Sequence, residues 1–350
     1  MIKGELSISD FMPSEEKCFE HLQRTRWYNG VVCPKCGSKE MKKNGTENGS
    51  QRYYCYGHDG TFSDTTGTIF YRSKIPLNYW YYFIFYYLQN HSANQLSQVL
   101  GISYPTALGM VRKIQKCLKG TCDGIKLSEI IEFDELYLSV DEKGNSELRL
   151  TRPPRKRGLK LRGRGTMDKD KPPVIGGCDR KGNIRLAVLD HVDSDSVFTF
   201  LLTVVAILSN MLKIFTDDFT AYMFLRKTWV KYESVNHSAG EYARGEVHNN
   251  TMEGYWSVYR PWMNTYRGVS KKYLPEYTSF FEFVENNKRD GWLNLLDKIN
   301  FLVWISLQYR IKQGHIQPHT DLYNFNTMNH DNHTATFSFT CSTSASNPSV

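Results

Sequence analysis

IIEFDELYLSV, residues 130–140, is the stretch on which the fold turns. Its β-branched and aromatic density suits a strand. Asp134 sits inside it between apolar neighbours, Phe133 and Leu136, while period-two alternation sends Glu135 to the other face. A charge on a mainly apolar strand is costly unless a metal or a partner neutralises it. The strand therefore reads as one built around a carboxylate.

Downstream, residues 149–164 hold eight Arg or Lys and no acid, broken by Pro and Gly, as an exposed loop should be. Such runs are usually solvated. Its place directly after the first acidic strand favours DNA contact, with Arg155, Lys156 and Arg157 at its densest point. Further strands are expected at PVIGGCD (173–179), NIRLAVLD (183–190) and LKIFTDD (212–218), and a helix over SDSVFTFLLTVVAIL (194–208). A strand at YESVNH and a helix from about Asn250 complete an α/β core with a mixed sheet, assigned to 128–312.

Asp217, at the end of its strand, repeats the situation of Asp134, although Asp218 adjoins it and spacing cannot separate the two. If the two strands lie side by side, their carboxylates converge, and Glu253 from the later helix closes a triangle. Oxygen ligands of this kind suit Mg²⁺ or Mn²⁺. Two such ions can activate an attacking oxygen and stabilise a leaving one. In HNNTMEGYW (248–256), Asn250 and Glu253 fall on one helix face, and Tyr255 and Trp256 turn toward packing surface. His248 suits either a phosphate contact or a cap. Arg267, Lys271 and Lys272 form a nearby phosphate track.

Upstream, residues 76–120 read as helix, tight turn, helix: SANQLSQVL, then Gly101, then a new start at Ser103. The aromatic run Tyr79–Tyr87 ahead of it reads as core or dimer contact. Residues 28–68 change character, with CPKCG at 33–37 and YCYGH at 54–58. Each knuckle presents two ligands, so Cys33, Cys36, Cys55 and His58 form a Cys3His zinc site of a ribbon that folds on its metal. Residues 1–27 carry an amphipathic helix capped by Ser14, and 316–350, rich in His, Asn, Thr and Ser, read as a disordered tail.

The chain has 350 residues, a formal charge of +8 and eight cysteines. Length implies several domains, and the basic balance points to an acidic partner. No apolar run reaches a membrane span and no signal peptide is evident, so no membrane association and a soluble, reducing-compartment protein are expected.

Taken together, CPKCG, TFSDTTGTIFYRSKIPLNYW ending at Trp80, SANQLSQVLGISYPTA (92–107), IEFDELYLS (131–139), IFTDDFTAY (214–222) and HNNTMEGYWSVYRPWMNTYRGVSKKYLPEY (248–277) resemble the insertion-sequence transposases that carry an N-terminal zinc ribbon and are related to the Merlin elements, with an ISXO2-like transposase domain. The resemblance covers most of residues 14–290. It implies a ribonuclease-H-like core of the DDE superfamily with Asp134, Asp217 and Glu253 as the triad. It favours Asp217 over Asp218, and leaves Asn250 a competitor for the third role because some members carry Asn there. Two departures stand out: Arg260 where relatives often have Lys, which changes phosphate geometry, and CxxH where many show CxxC.

The implied activity is metal-dependent DNA cleavage and strand transfer on double-stranded transposon ends and target, by a homodimer or larger assembly. The expected place is the cytoplasm or nucleoid, or the nucleus of a eukaryotic host. The rivals are a zinc-ribbon and helix-turn-helix DNA-binding regulator, which leaves the strand-borne acids idle, and a ribonuclease-H-like nuclease without strand transfer.

Overall fold

The computed structural model describes residues 12–138, 165–167, 171–206, 212–228, 230–235 and 243–291, with five positions between 294 and 299. The chain divides into two units, Met1–Ile316 and Gln317–Val350, and every described residue belongs to the first. The loop with Arg155, Lys156 and Arg157 and the stretch 316–350 lie outside the described residues.

Helix α1 (Glu15–Arg26) starts where the sequence signals it: the Ser14 hydroxyl accepts from the Lys17 amide, with Glu15 and Glu16 in the first turn and Arg24 and Arg26 in the last. That charge order suits the helix dipole. The chain then forms an antiparallel ribbon of β1 (Met41–Glu47), β2 (Ser50–Cys55) and β3 (Gly60–Ser63). Its small core is Trp27, Cys33, Tyr53, Cys55 and Phe62. Asp64, fully buried, ties the ribbon to α1 by accepting from Gln23 Nε2, Trp27 Nε1, the Gln51 amide and the Tyr53 hydroxyl.

Three helices follow, α2 (Leu77–Leu88), α3 (Ala93–Leu100) and α4 (Tyr104–Leu118). Ser92 and Gln95 form a capping box on α3, Gly101 closes it with φ +63°, and Ser103 caps α4. The left-handed backbone at Gly101 is what makes the turn this short. The aromatic run belongs to the core: Trp80, Phe83, Ile84 and Tyr87 are buried, and Tyr87 stacks on Phe280 at 4.4 Å.

The central sheet has β4 (Ile130–Tyr137), β5 (Pro173–Asp179), β6 (Ile184–Val188), β7 (Lys213–Asp217) and β8 (Lys231–Val235) in the order β6-β5-β4-β7-β8. The hairpin strands β4, β5 and β6 are antiparallel, whereas β7 and β8 join parallel to β4. This mixed sheet is the ribonuclease-H-like arrangement, behind an N-terminal zinc-ribbon region. The parallel joins need crossovers: α5 (Ser194–Val204) precedes β7, and a 3-10 helix (Thr220–Lys227) precedes β8.

Two-residue alternation splits the sheet's side chains between two cores. Ile131, Phe133 and Ile175 pack with Val197, Phe200 and Tyr222 on one face. Leu136, Val174 and Leu186 pack on the other with α6 (Asn250–Asn264) and α7 (Leu274–Asn287). That second core is continuous with α1 to α4, so the segments read as successive domains are built around shared apolar residues. Arg112 of α4 lies 3.5 Å over the Tyr273 ring, and Gln115 donates to the Tyr87 hydroxyl. An aromatic helix as apolar as α2 is stable only when other elements cover it.

Candidate active site and zinc ligands

Register brings the first two acids together. The last β4–β7 pair is Glu132 with Phe215, and Asp134 and Asp217 lie two residues further along each parallel strand. One carboxylate oxygen from each of Asp134, Glu135 and Asp217 falls within a 4.8 Å cluster. Asp218, half exposed, points instead toward Arg226, 3.7 Å away.

Alternation predicts Glu135 on the opposite face from Asp134, and its root obeys that rule. Its Oε2 accepts from the hydroxyl of Tyr222, which belongs to the opposite core. The carboxylate nevertheless reaches the cluster. Pattern alone gives the direction in which a side chain leaves the strand, and cannot give how far a flexible Glu curls around the sheet.

Asp134 is held on both oxygens: Oδ1 accepts from the Glu135 amide at 2.9 Å and Oδ2 from Trp256 Nε1 at 3.0 Å. Burial pushes its carboxyl well above the usual carboxylate range, and the charges of Glu135 and Asp217 add to this; the two hydrogen bonds oppose the shift. Three carboxylates this close repel one another, and a cation bound among them would offset that repulsion. The hard oxygen donors fit Mg²⁺ or Mn²⁺.

Trp256 reaches Asp134 because the sheet is thin beneath it. Gly176 pairs with Asp134 across β4–β5, and a methyl group there would collide with Met252 and come within 2.8 Å of Trp256. Glycine here admits α6. Glu253 and Asn250 lie on the exposed side of α6, with Glu253 three residues before Trp256 and outside the 4.8 Å cluster. Asn249, at the head of the helix, is buried with both amide atoms lacking a hydrogen-bond partner.

Of the phosphate-track residues, Arg260, Arg267 and Lys272 are exposed and Lys271 is half-buried. Sequence reading missed Glu132 and Arg180. Glu132, 1% exposed, accepts from the Thr251 and Met252 amides and pairs with Arg180 at 2.7 Å. The one available signal was a second acid on the same strand face as Asp134.

The four zinc ligands named from spacing do meet: Cys33, Cys36, Cys55 and His58 place one ligand atom each within 4.8 Å of one another. Cys33 Sγ lies 3.3 Å from His58 Nδ1, and Cys36 Sγ lies 3.5 Å from Cys55 Sγ. Those separations suit a tetrahedron of thiolate and imidazole around Zn²⁺. Burial works to raise the Cys55 thiol, but hydrogen bonds from His58, Cys36 and the backbone outweigh it and bring it down to about 6. A methyl group at Gly57 would meet Ser38 at 2.8 Å and the Cys36 sulfur at 3.2 Å, so the second knuckle needs glycine.

A zinc-ribbon module joined to a mixed sheet, with carboxylates gathered on adjoining strands, fits the class of DDE-type transposases. Residues 126–286 match the ISXO2-like transposase domain, and residues 13–57 match the transposase zinc-ribbon domain, stopping one residue before His58. A Halobacterium salinarum relative, described as an uncharacterized protein in transposable element ISH50, is 35% identical over 271 residues, covering 77% of this chain and 90% of the relative. The chain belongs to this insertion-sequence transposase family. Among solved structures it is similar to a pre-cleavage Mos1 transpososome, at 11% identity and TM-score 0.23 over 62% of this chain and 78% of that one. A Mos1 transposase paired-end complex with left transposon end gives 12% identity and TM-score 0.21 over the same shares. No described helix is long and apolar enough to cross a membrane.

Proposed function

We propose that the protein binds the inverted repeats at transposon ends, cuts the DNA there and joins the freed ends to target DNA. The observation that carries this reading is the convergence of Asp134 and Asp217 from adjoining parallel strands in a member of this family. Asp134, Asp217 and Glu253 would hold divalent Mg²⁺ or Mn²⁺, with Asn250 the alternative to Glu253. Glu135 is a fourth acid already within reach of the cluster. When bound, such ions supply charge stabilisation at the attacking and leaving oxygens of an in-line displacement.

The chain's own part is to hold and orient. Trp256 and the Glu135 amide fix both oxygens of Asp134, so its position does not depend on solvent. Arg260, Arg267, Lys271 and Lys272 would track phosphates, and Arg155, Lys156 and Arg157 would extend that surface. On α4, Tyr104, Lys113 and Lys116 are exposed while the opposite face is docked in the core, which leaves one side for duplex DNA. Structural zinc in the Cys3His site would keep the ribbon folded beside it. Two ends must be brought together for joining, so a homodimer or larger assembly on DNA is part of the proposal, as is action where DNA lies, in the cytoplasm or nucleoid, or in the nucleus of a eukaryotic host.

The test is full-length protein with labelled inverted-repeat duplex and Mn²⁺. Cleavage followed by joining, lost in Asp134→Asn and Asp217→Asn with end binding retained, is the expected result. Binding without cleavage would make the protein a regulator, and nicking without joining a nuclease. Comparing Glu253→Gln with Glu135→Gln identifies the third acid, and the expected loss falls on Glu253→Gln.

A further inference from the structure

Glu132 is buried two residues before Asp134 on the same face of β4, yet among the described residues it belongs to neither group of candidate metal ligands. It accepts from the Thr251 amide and hydroxyl, both at 2.8 Å, and from the Met252 amide at 3.0 Å. Arg180 pairs with it at 2.7 Å, and His248 Nδ1 lies 3.3 Å from Oε1. Arg180 also donates to the Thr251 hydroxyl and lies 3.1 Å from His248 Nε2, so the four side chains form one connected group.

A helix in need of a cap usually takes one from the residue just before it. Here Asn249 occupies that position, and its side chain makes no capping bond. Two free amides of α6, those of Thr251 and Met252, are instead satisfied by a carboxylate from a strand 119 residues earlier in the chain. Burying a carboxylate is a costly way to end a helix. It does what a local cap cannot, which is to fix the helix to β4.

A second tie, from Trp256 to Asp134, lies further along. From Met252 to Trp256 the helix rises about 6 Å, and from Glu132 to Asp134 the strand advances about 6.7 Å. The two spans agree, so α6 runs alongside β4 anchored at both ends of this interval. Glu253 lies inside it.

We infer that Glu132 is a positioning residue: with Arg180, His248 and Thr251 it sets the register of α6 on β4, and thereby the position from which Glu253, outside the acidic cluster of this structure, would join Asp134 and Asp217 in the proposed metal site. This rests on the function proposed above. On this inference the group acts through the helix.

The experiment measures Mn²⁺ affinity of DNA-free full-length protein by calorimetry, together with single-turnover cleavage and end-DNA affinity, in wild type, Glu132→Gln and Thr251→Val. Thr251→Val removes only the hydroxyl and keeps both backbone donors, so it serves if Glu132→Gln fails to fold. The expected result is Mn²⁺ affinity reduced about 10- to 100-fold in Glu132→Gln, as for partners that orient metal ligands, and a smaller reduction in Thr251→Val. Cleavage should fall with it at unchanged end-DNA affinity, a split that general unfolding would not give. Wild-type Mn²⁺ affinity and cleavage in a folded Glu132→Gln, or in Thr251→Val where only that variant folds, would overturn the inference. A wild type that binds no Mn²⁺ would instead overturn the reading of the acidic site, and the inference with it.

Discussion

Single residues here carry opposite demands that the same amino acid meets. Gly176 lies where a side chain would strike Met252, whereas around Gly254, in the middle of α6, a methyl group would meet nothing within 4 Å. Gly176→Ala should therefore destabilise by about 1–3 kcal/mol through overpacking, and should also disturb Trp256 and with it Asp134. Gly254→Ala should stabilise by about 1 kcal/mol, the cost of an interior helix glycine. Thermal unfolding of the two variants checks both signs, and equal shifts in one direction would contradict this account. Because Gly254 adjoins Glu253 on the exposed side, cleavage measured on the same stabilised variant shows whether DNA passes close to the helix backbone there. On the proposed function, activity should fall while stability rises.

Among the elements, the ribbon depends most on something beyond its own packing. Its core is five residues, two of them the candidate zinc ligands Cys33 and Cys55, and strands this short need further support. Chelation is expected to unfold the ribbon while leaving the central sheet folded, as amide exchange resolved by segment would show. Elemental analysis should give one zinc per chain, lost in Cys33→Ser and in His58→Ala; zinc retained at wild-type affinity by His58→Ala would remove His58 from the ligand set.

Helix α7 is held differently, through Glu282, whose Oε1 accepts from Arg185 Nε at 2.6 Å in a buried pair. Burial pushes the Glu282 carboxyl up to about 7 from an ordinary 4.5, against the pull of Arg185. The folded state thus binds the proton more tightly than the unfolded chain. The resulting contribution to stability is complete below about 4.5 and is lost as pH rises through about 7. Glu282→Gln should flatten that part of the melting-temperature profile between pH 4.5 and 7, and an unchanged slope would show that another group sets it.

At the scale of the whole molecule, the helices before the sheet and those after it share apolar residues, with Tyr87 stacked on Phe280 and Arg112 lying over Tyr273. A catalytic fragment beginning at 128 would expose the aromatic surface of α7 that α2 and α4 now cover. It is expected to aggregate, and the intact protein's sheet and helices α2 to α4 to unfold in one calorimetric transition. A soluble, cooperatively folding 128–312 fragment would contradict that.

Local chemistry made a good part of this legible from sequence. The cap at Ser14, the helix start at Ser103, the turn at Gly101, the paired knuckles of the ribbon and the strand around Asp134 each depend on neighbours a few residues away. What only the tertiary structure decided depends on contacts across more than a hundred residues. Glu135 reaches the acidic cluster although alternation turns it away, and Trp256 is a hydrogen-bond donor to Asp134 as well as a packing residue. Glu132 caps a helix 119 residues further on. Periodicity records which side of an element faces inward, because burial repeats with the backbone. It holds no record of which distant backbone donors a buried carboxylate will meet, because that is set by how the elements are laid against one another.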